Sequence, residues 1–159
     1  MEVKLHMPTN NLKPKVPSEG GPELEDIVAK AEHALSEMEG DYEVLVGDEV
    51  TQISEFLQTA KNDPSEGAHC IKEIHTIGHN IKGQAATFSY PLLSLAAKSL
   101  CHFIQENAAV AEERLDLIEA HVNTMRIIIS QKTKGDGGKE GQGLITALEE
   151  AVGKILAKD

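Results

Sequence analysis

The chain has 159 residues and a formal net charge of −11, from 15 Lys and Arg against 26 Asp and Glu. It suggests one domain with tails, long enough to bury a core without staples. The acidic balance argues against nucleic acid or an anionic membrane surface as partner, and no run of about 18 apolar residues predicts a membrane span. With three Phe, two Tyr and no Trp, the core must come from Ile, Leu, Val, Ala and Met. Cys70 and Cys101 make no disulfide framework and are expected as small core or semi-buried groups. The start, MEVKLHMPTNNLKPKV, shows no apolar signal core. A reduced, cytoplasmic protein is the expectation.

Residues 1–21 hold three Pro, two Gly and two Asn and read as a disordered arm. Residues 22–39 read as a helix, with Leu24, Ile27, Val28, Ala31, Leu35 and Met38 at steps of three and four; Gly40 can end it. The run 42–47 alternates weakly and reads as a connection, because a single strand has no partner. Asp48 then caps a helix over 49–62 facing inward with Val50, Ile53 and Leu57. Asp63-Pro64-Ser65-Glu66 predicts a strong start, with Asp63 as cap, Pro64 in the first turn and Glu66 as the capping-box carboxylate. That helix runs to about Phe88.

Pro91 opens a helix over 91–106 after a very short turn, which predicts an antiparallel neighbour. Residues 108–132 form one more helix, with a heptad-like seam of Leu115, Ile118, Val122, Met125 and Ile129. Residues 133–143, TKGDGGKEGQG, carry five Gly and read as a flexible linker. An amphipathic helix over 144–157 closes the chain. The fold class is therefore all-α: an up-down antiparallel four-helix bundle with an extra helix at each end. The body is 22–132, the linker 133–143 and the terminal helix 144–159.

The helix from 64 to 88 exceeds what packing requires. At about 100° per residue, with His75 at zero, Ile74, Ile77, Gly78, Ile81, Ala85 and Phe88 fall between roughly 200° and 300°. His75, His79, Lys82 and Ala86 fall within about 60° of one another on a different face, with Lys72 and Gly83 beside them. A glycine inside a helix costs about 0.5–1 kcal/mol relative to Ala, so Gly83 suggests that something must come close. An imidazole, an ammonium and cleared space suit a nucleophile receiving an anionic group. Neutral imidazole is available near pH 7, and Lys82 can bond phosphoryl oxygens.

The stretch His79-Asn80-Ile81-Lys82-Gly83-Gln84-Ala85-Ala86-Thr87-Phe88-Ser89-Tyr90-Pro91-Leu92-Leu93 resembles the phosphoacceptor motif of histidine phosphotransfer (HPt) domains. It is most similar to the phosphotransfer domain of chemotaxis histidine kinases. The matching positions are His79, Ile81, Lys82, Gly83, Ala85, Ala86, Phe88 and Leu93, and the helix order extends the likeness over about 49–132. The resemblance implies a four-helix bundle with an exposed His79 as phosphoacceptor, Lys82 steadying the phosphoryl group and Gly83 making room for a docking protein. It implies phosphorelay with the aspartate of response-regulator receiver domains, and a hybrid histidine kinase as a further partner.

Two positions depart from the family. Ser89 stands where the family usually has Gly. Cys101 stands where many members hold Glu or Gln against the phosphoacceptor ring, leaving that role vacant or moved to Lys98, His102 or Gln105.

No nucleotide loop is present, so the chain has no kinase site of its own. No cofactor is expected in this chain; Mg²⁺ belongs to the partner receiver. Two other readings stand beside this one. A non-catalytic scaffold would carry a vestigial motif. A metal-binding bundle would use His75 and His79 at i and i+4 with His102 or Cys101, although the HExxH pattern is absent. His6, His33, His69 and His121 read as surface residues.

Overall fold

The computed structural model describes residues 21–157. Among them there is no strand. Six helices follow in order: α1 (Leu24–Asn62), α2 (Gly67–Gln84), α3 (Pro91–Glu106), α4 (Ala108–Glu113), α5 (Leu115–Ser130) and α6 (Gly138–Leu156), with a 3₁₀ turn at Pro64–Glu66. The expected arm over 1–21 falls, but for Gly21, outside the described residues, as does His6. No helix among the described residues is long and apolar enough to cross a membrane. The chain divides after Met38 into two units. In the first, residues 24–38 of α1 are helical and exposed throughout.

The second unit holds the core. Here the segmentation differs from expectation in four places. Gly40 does not end a helix, and 42–47 is not a connection: α1 passes straight through both. Tyr42, Val46, Val50, Ile53 and Leu57 recur at helical steps and are all buried. Burying that stripe outweighs the propensity cost of Gly40 and Gly47, about 1 kcal/mol each. Tyr42 stacks on Phe88 with ring centroids 4.3 Å apart and lies 6.4 Å from the Tyr90 ring, so three of the few aromatics meet at the α2–α3 turn.

Residues 108–132 are two helices rather than one. Asn107 caps α4, its side chain accepting from the Val110 amide at 3.2 Å. Arg114 then leaves helical geometry and grips Asp116 through Nε and Nη2 at 2.9 and 2.7 Å. The carboxylate sits in the first turn of α5, where the helix dipole favours it. Only Ile118, Val122 and Met125 of the expected seam are fully buried.

The glycine-rich stretch is not a linker to its end, because α6 begins at Gly138. Asp136 Oδ1 accepts from the Gly138 amide at 3.0 Å. Gly137 has φ +67°, and a Cβ built on Gly137 or on Gly141 would lie 2.8 Å from Leu92 Cδ2. These glycines let the start of α6 close onto α3. Ile145, Leu148 and Val152 continue the buried face, whereas Leu144 is exposed.

The start of α2 matches expectation in part. Asp63 Oδ1 accepts from the Ser65 amide at 3.0 Å and from Ser65 Oγ at 2.6 Å. Glu66 makes no capping bond; the Asp63 amide that it was expected to accept donates to Thr59 O at 2.8 Å instead. At the other end, regular helix stops at Gln84 rather than Phe88, and the five residues 85–89 continue as turns. The Tyr90 amide donates to Ala85 O at 2.8 Å and the Ser89 amide to Ala86 O at 3.3 Å. Ser89 sits at φ +67°. This is a Schellman closure, with serine in the left-handed slot that glycine would occupy without strain.

Candidate functional site

The face singled out lies on α2 and the turn that follows it, and its residues keep the burial phase that the sequence set. Ile74, Gly78, Ile81 and Ala85 are buried, and Ile77 and Phe88 are half-buried. His79, Gly83, Ala86 and Lys72 are exposed, and Lys82 is half-exposed. A Cβ placed on Gly83 would meet nothing within 4 Å. Glycine there serves no packing inside the chain. His79 makes no hydrogen bond or ion pair among the described residues, so its ring is free to turn.

His75 differs from His79 although they share a helix face. The ring centroids are 6.3 Å apart. His75 is half-buried, and its Nε2 is sealed from solvent without a hydrogen-bond partner. Burial first, then the charges of His79 and Lys82, hold the His75 ring below the ordinary histidine value. A neutral imidazole with one nitrogen enclosed cannot receive a group through that atom from another protein. Of the two histidines, His79 is the exposed one.

Helix α3 supports this face from beneath. Ser94 Oγ donates to Lys82 O at 2.7 Å, and Cys101 Sγ donates to His75 O at 3.8 Å. In an α-helix His75 O also accepts the amide of His79. Cys101 thus reaches the backbone under His79 rather than its ring. Its Sγ lies 3.3 Å from where a Cβ on Gly78 would sit, so glycine and cysteine form a small-to-small contact where α2 and α3 meet. Burial pushes the Cys101 thiol up, and Lys82 works against that shift. Cys70 is also buried and free.

The residues suggested as substitutes for the ring-orienting role lie elsewhere. Lys98 and His102 line a cleft of about 280 Å³ between α3 and α6, with Ser99, Glu149, Val152 and Leu156. His102 Nδ1 is 3.6 Å from Glu106 Oε1. Gln105 lines a separate cleft with Lys72 and His75. None of the three bonds His79. No group of three or more His, Cys, Asp or Glu among the described residues is arranged to hold a metal ion.

Sequence reasoning misassigned one histidine outright. His121 is not a surface residue: it is 0 % exposed. Its Nδ1 lies 2.7 Å from Leu117 O and its Nε2 3.0 Å from Ser99 Oγ, bridging α5 and α3. Burial holds its ring below the ordinary histidine value, against the pull of the Leu117 carbonyl. The signal in the sequence was its place one residue before Val122, on the edge of the apolar seam. His33 and His69 are exposed.

No protein-family model, no curated protein and no solved structure matches the chain.

Proposed function

We propose that this chain is a histidine-containing phosphotransfer protein, with His79 as the phosphoacceptor in a two-component relay. The observation that carries the reading is the pairing of an open His79 with Lys82 one turn on and the unfilled space over Gly83. The C-terminal part of α1 with α2, α3 and α5 would form the four-helix bundle of such a domain, and α6 would pack on it. Response-regulator receiver domains, and a hybrid histidine kinase upstream, are the proposed partners, in the cytoplasm.

The chemistry needs little from the chain. The unprotonated nitrogen of the His79 ring attacks phosphorus of a receiver aspartyl phosphate. An N–P bond forms, the P–O bond breaks, and the aspartate carboxylate leaves with the electron pair. The proton on the other ring nitrogen stays. Lys82 meets the phosphoryl oxygens as charge shifts between donor and acceptor. Mg²⁺ is held by the receiver.

The test is incubation of the purified chain with a phosphorylated receiver, looking for acid-labile, base-stable label. His79→Gln should abolish labelling with the fold intact, because the side chain is exposed. Lys82→Ala should slow transfer about ten- to a hundredfold, the worth of one charge-assisted contact of about 1.5–3 kcal/mol. Labelling of His79→Gln at the wild-type rate would remove the assignment.

One observation favours a second reading. Cys101 is turned toward the His75 carbonyl and no hydrogen bond among the described residues orients the His79 ring, as a scaffold protein with a vestigial motif would allow. That reading predicts receiver binding without label.

A further inference from the structure

Residues 24–38 of α1 present an apolar stripe to solvent. Leu24 is 74 % exposed, Met38 54 %, Ile27 48 %, Val28 45 % and Leu35 43 %. No side chain of 24–38 is buried, so packing within the chain does not hold this part of α1, and its exposed stripe calls for a partner. Leu24, Val28, Ala31, Leu35 and Met38 follow one another at steps of four, three, four and three. That is heptad spacing, which packs best against a second helix bearing the same repeat.

The charges select the partner. With Val28 and Leu35 at a, and Leu24, Ala31 and Met38 at d, the flanking e positions are Glu25 and Glu32 and the flanking g positions are Ile27 and Ala34. In a parallel pair each g residue faces an e residue of the other helix. Ile27 would then cover the stem of Glu32 in the second copy, and no carboxylate would face another. In an antiparallel pair e faces e, setting glutamate against glutamate. The remaining charges, including the His33–Glu37 pair at 3.7 Å, fall outside the seam. The stripe is thus compatible with itself in one orientation.

We propose that residues 24–38 are the interface of a parallel homodimer, in which two copies of this chain zip their α1 stripes together. The proposal does not depend on the phosphotransfer reading.

Sedimentation equilibrium of the full chain tests it. The expected mass is twice 17.2 kDa, falling to the monomer on dilution. Val28→Glu with Leu35→Glu should weaken association at least about 100-fold, since each places an unpaired carboxylate in the seam. The thermal transition of the monomer should not move, because both sites are exposed within it. Val44→Glu, on the opposite side of α1, should leave the dimer intact. Under mild oxidation a Val28→Cys chain should form a covalent dimer bridged at that position, as facing a positions in a parallel pair require. A chain that stays monomeric at every concentration overturns the proposal and leaves residues 1–20 or a different protein as the cover. A dimer that survives the double substitution, or that Val28→Cys fails to bridge, overturns it as well.

Discussion

Gly83 and His75 sit on one helix face and make opposite predictions. Nothing lies within 4 Å of a Cβ on Gly83, and glycine is the poorest helix former after proline. Gly83→Gln should therefore hold stability or raise it by up to about 1 kcal/mol, while receiver binding and transfer collapse. A melting curve and a transfer assay on that one protein read both. Early melting with normal transfer would mean that Gly83 serves the fold and not docking. His75 has a buried Nε2 without a partner, and such an atom costs about 1–3 kcal/mol. His75→Leu should raise the unfolding free energy by about 1 kcal/mol and keep His79 able to accept a phosphoryl group. Loss of labelling there would move the acceptor to His75. The exposure of His79 was legible because a helix fixes phase from residue to residue. The enclosure of His75 Nε2 was not, because it depends on what α3 places beside it.

At the scale of elements, the ends of α2 and α5 and the start of α6 depend on left-handed residues. Ser89 and Lys132 both take positive φ, and each closes its helix with the same paired bonds. For Lys132 these are Thr133 N to Ile128 O at 2.9 Å and its own amide to Ile129 O at 3.0 Å. Ser89 also donates through Oγ to Glu39 at 3.1 Å, a contact that offsets the strain a glycine would avoid. Gly137 has no such alternative. Its φ is +67°, and an added Cβ would lie 3.1 Å from Gly141 Cα as well as against Leu92. Gly137→Ala should cost about 1–2 kcal/mol from backbone conformation alone, with α6 loosened from α3. Hydrogen exchange of α6 amides, compared with those of α2, would show it. Equal protection of α6 in wild type and variant would mean that this glycine is only a spacer. Pro64 and Pro91 were readable as starts because proline acts locally. The role of Gly137 was not, because it follows from the position of Leu92, forty-five residues earlier in the chain.

The molecule as a whole has a predictable response to acid. His121 and His75 both titrate below the ordinary histidine value of 6.5 in the folded state. Above that pH both states are neutral at these sites and stability is unaffected. As pH falls through 6.5, the unfolded chain takes up protons that the folded chain resists, so stability declines. This loss precedes that from Glu39 and Glu43, whose carboxyls are held below the ordinary value chiefly by Lys134 and Lys132. A variant carrying His121→Phe and Ser99→Ala, which removes both partners of the buried bond, should show a shallower fall in melting temperature between neutral pH and the carboxylate range. An unchanged slope would assign the titration to another group.

The sequence by itself determined the helical class and the phase of α2, and with it the face that carries His79, Lys82 and Gly83. All of these follow from period and from local starts and stops. It did not determine that α1 runs unbroken through Gly40, that Gly138–Gly143 is helix, or that His121 is buried with both ring nitrogens bonded. A glycine is a linker or a close contact according to what lies opposite. A histidine on the edge of a stripe is solvated or enclosed according to whether a neighbouring helix offers it a hydroxyl. Those outcomes rest on pairs distant in sequence, Tyr42 with Phe88, Leu92 with Gly141 and Ser99 with His121, and only tertiary packing brings such pairs together.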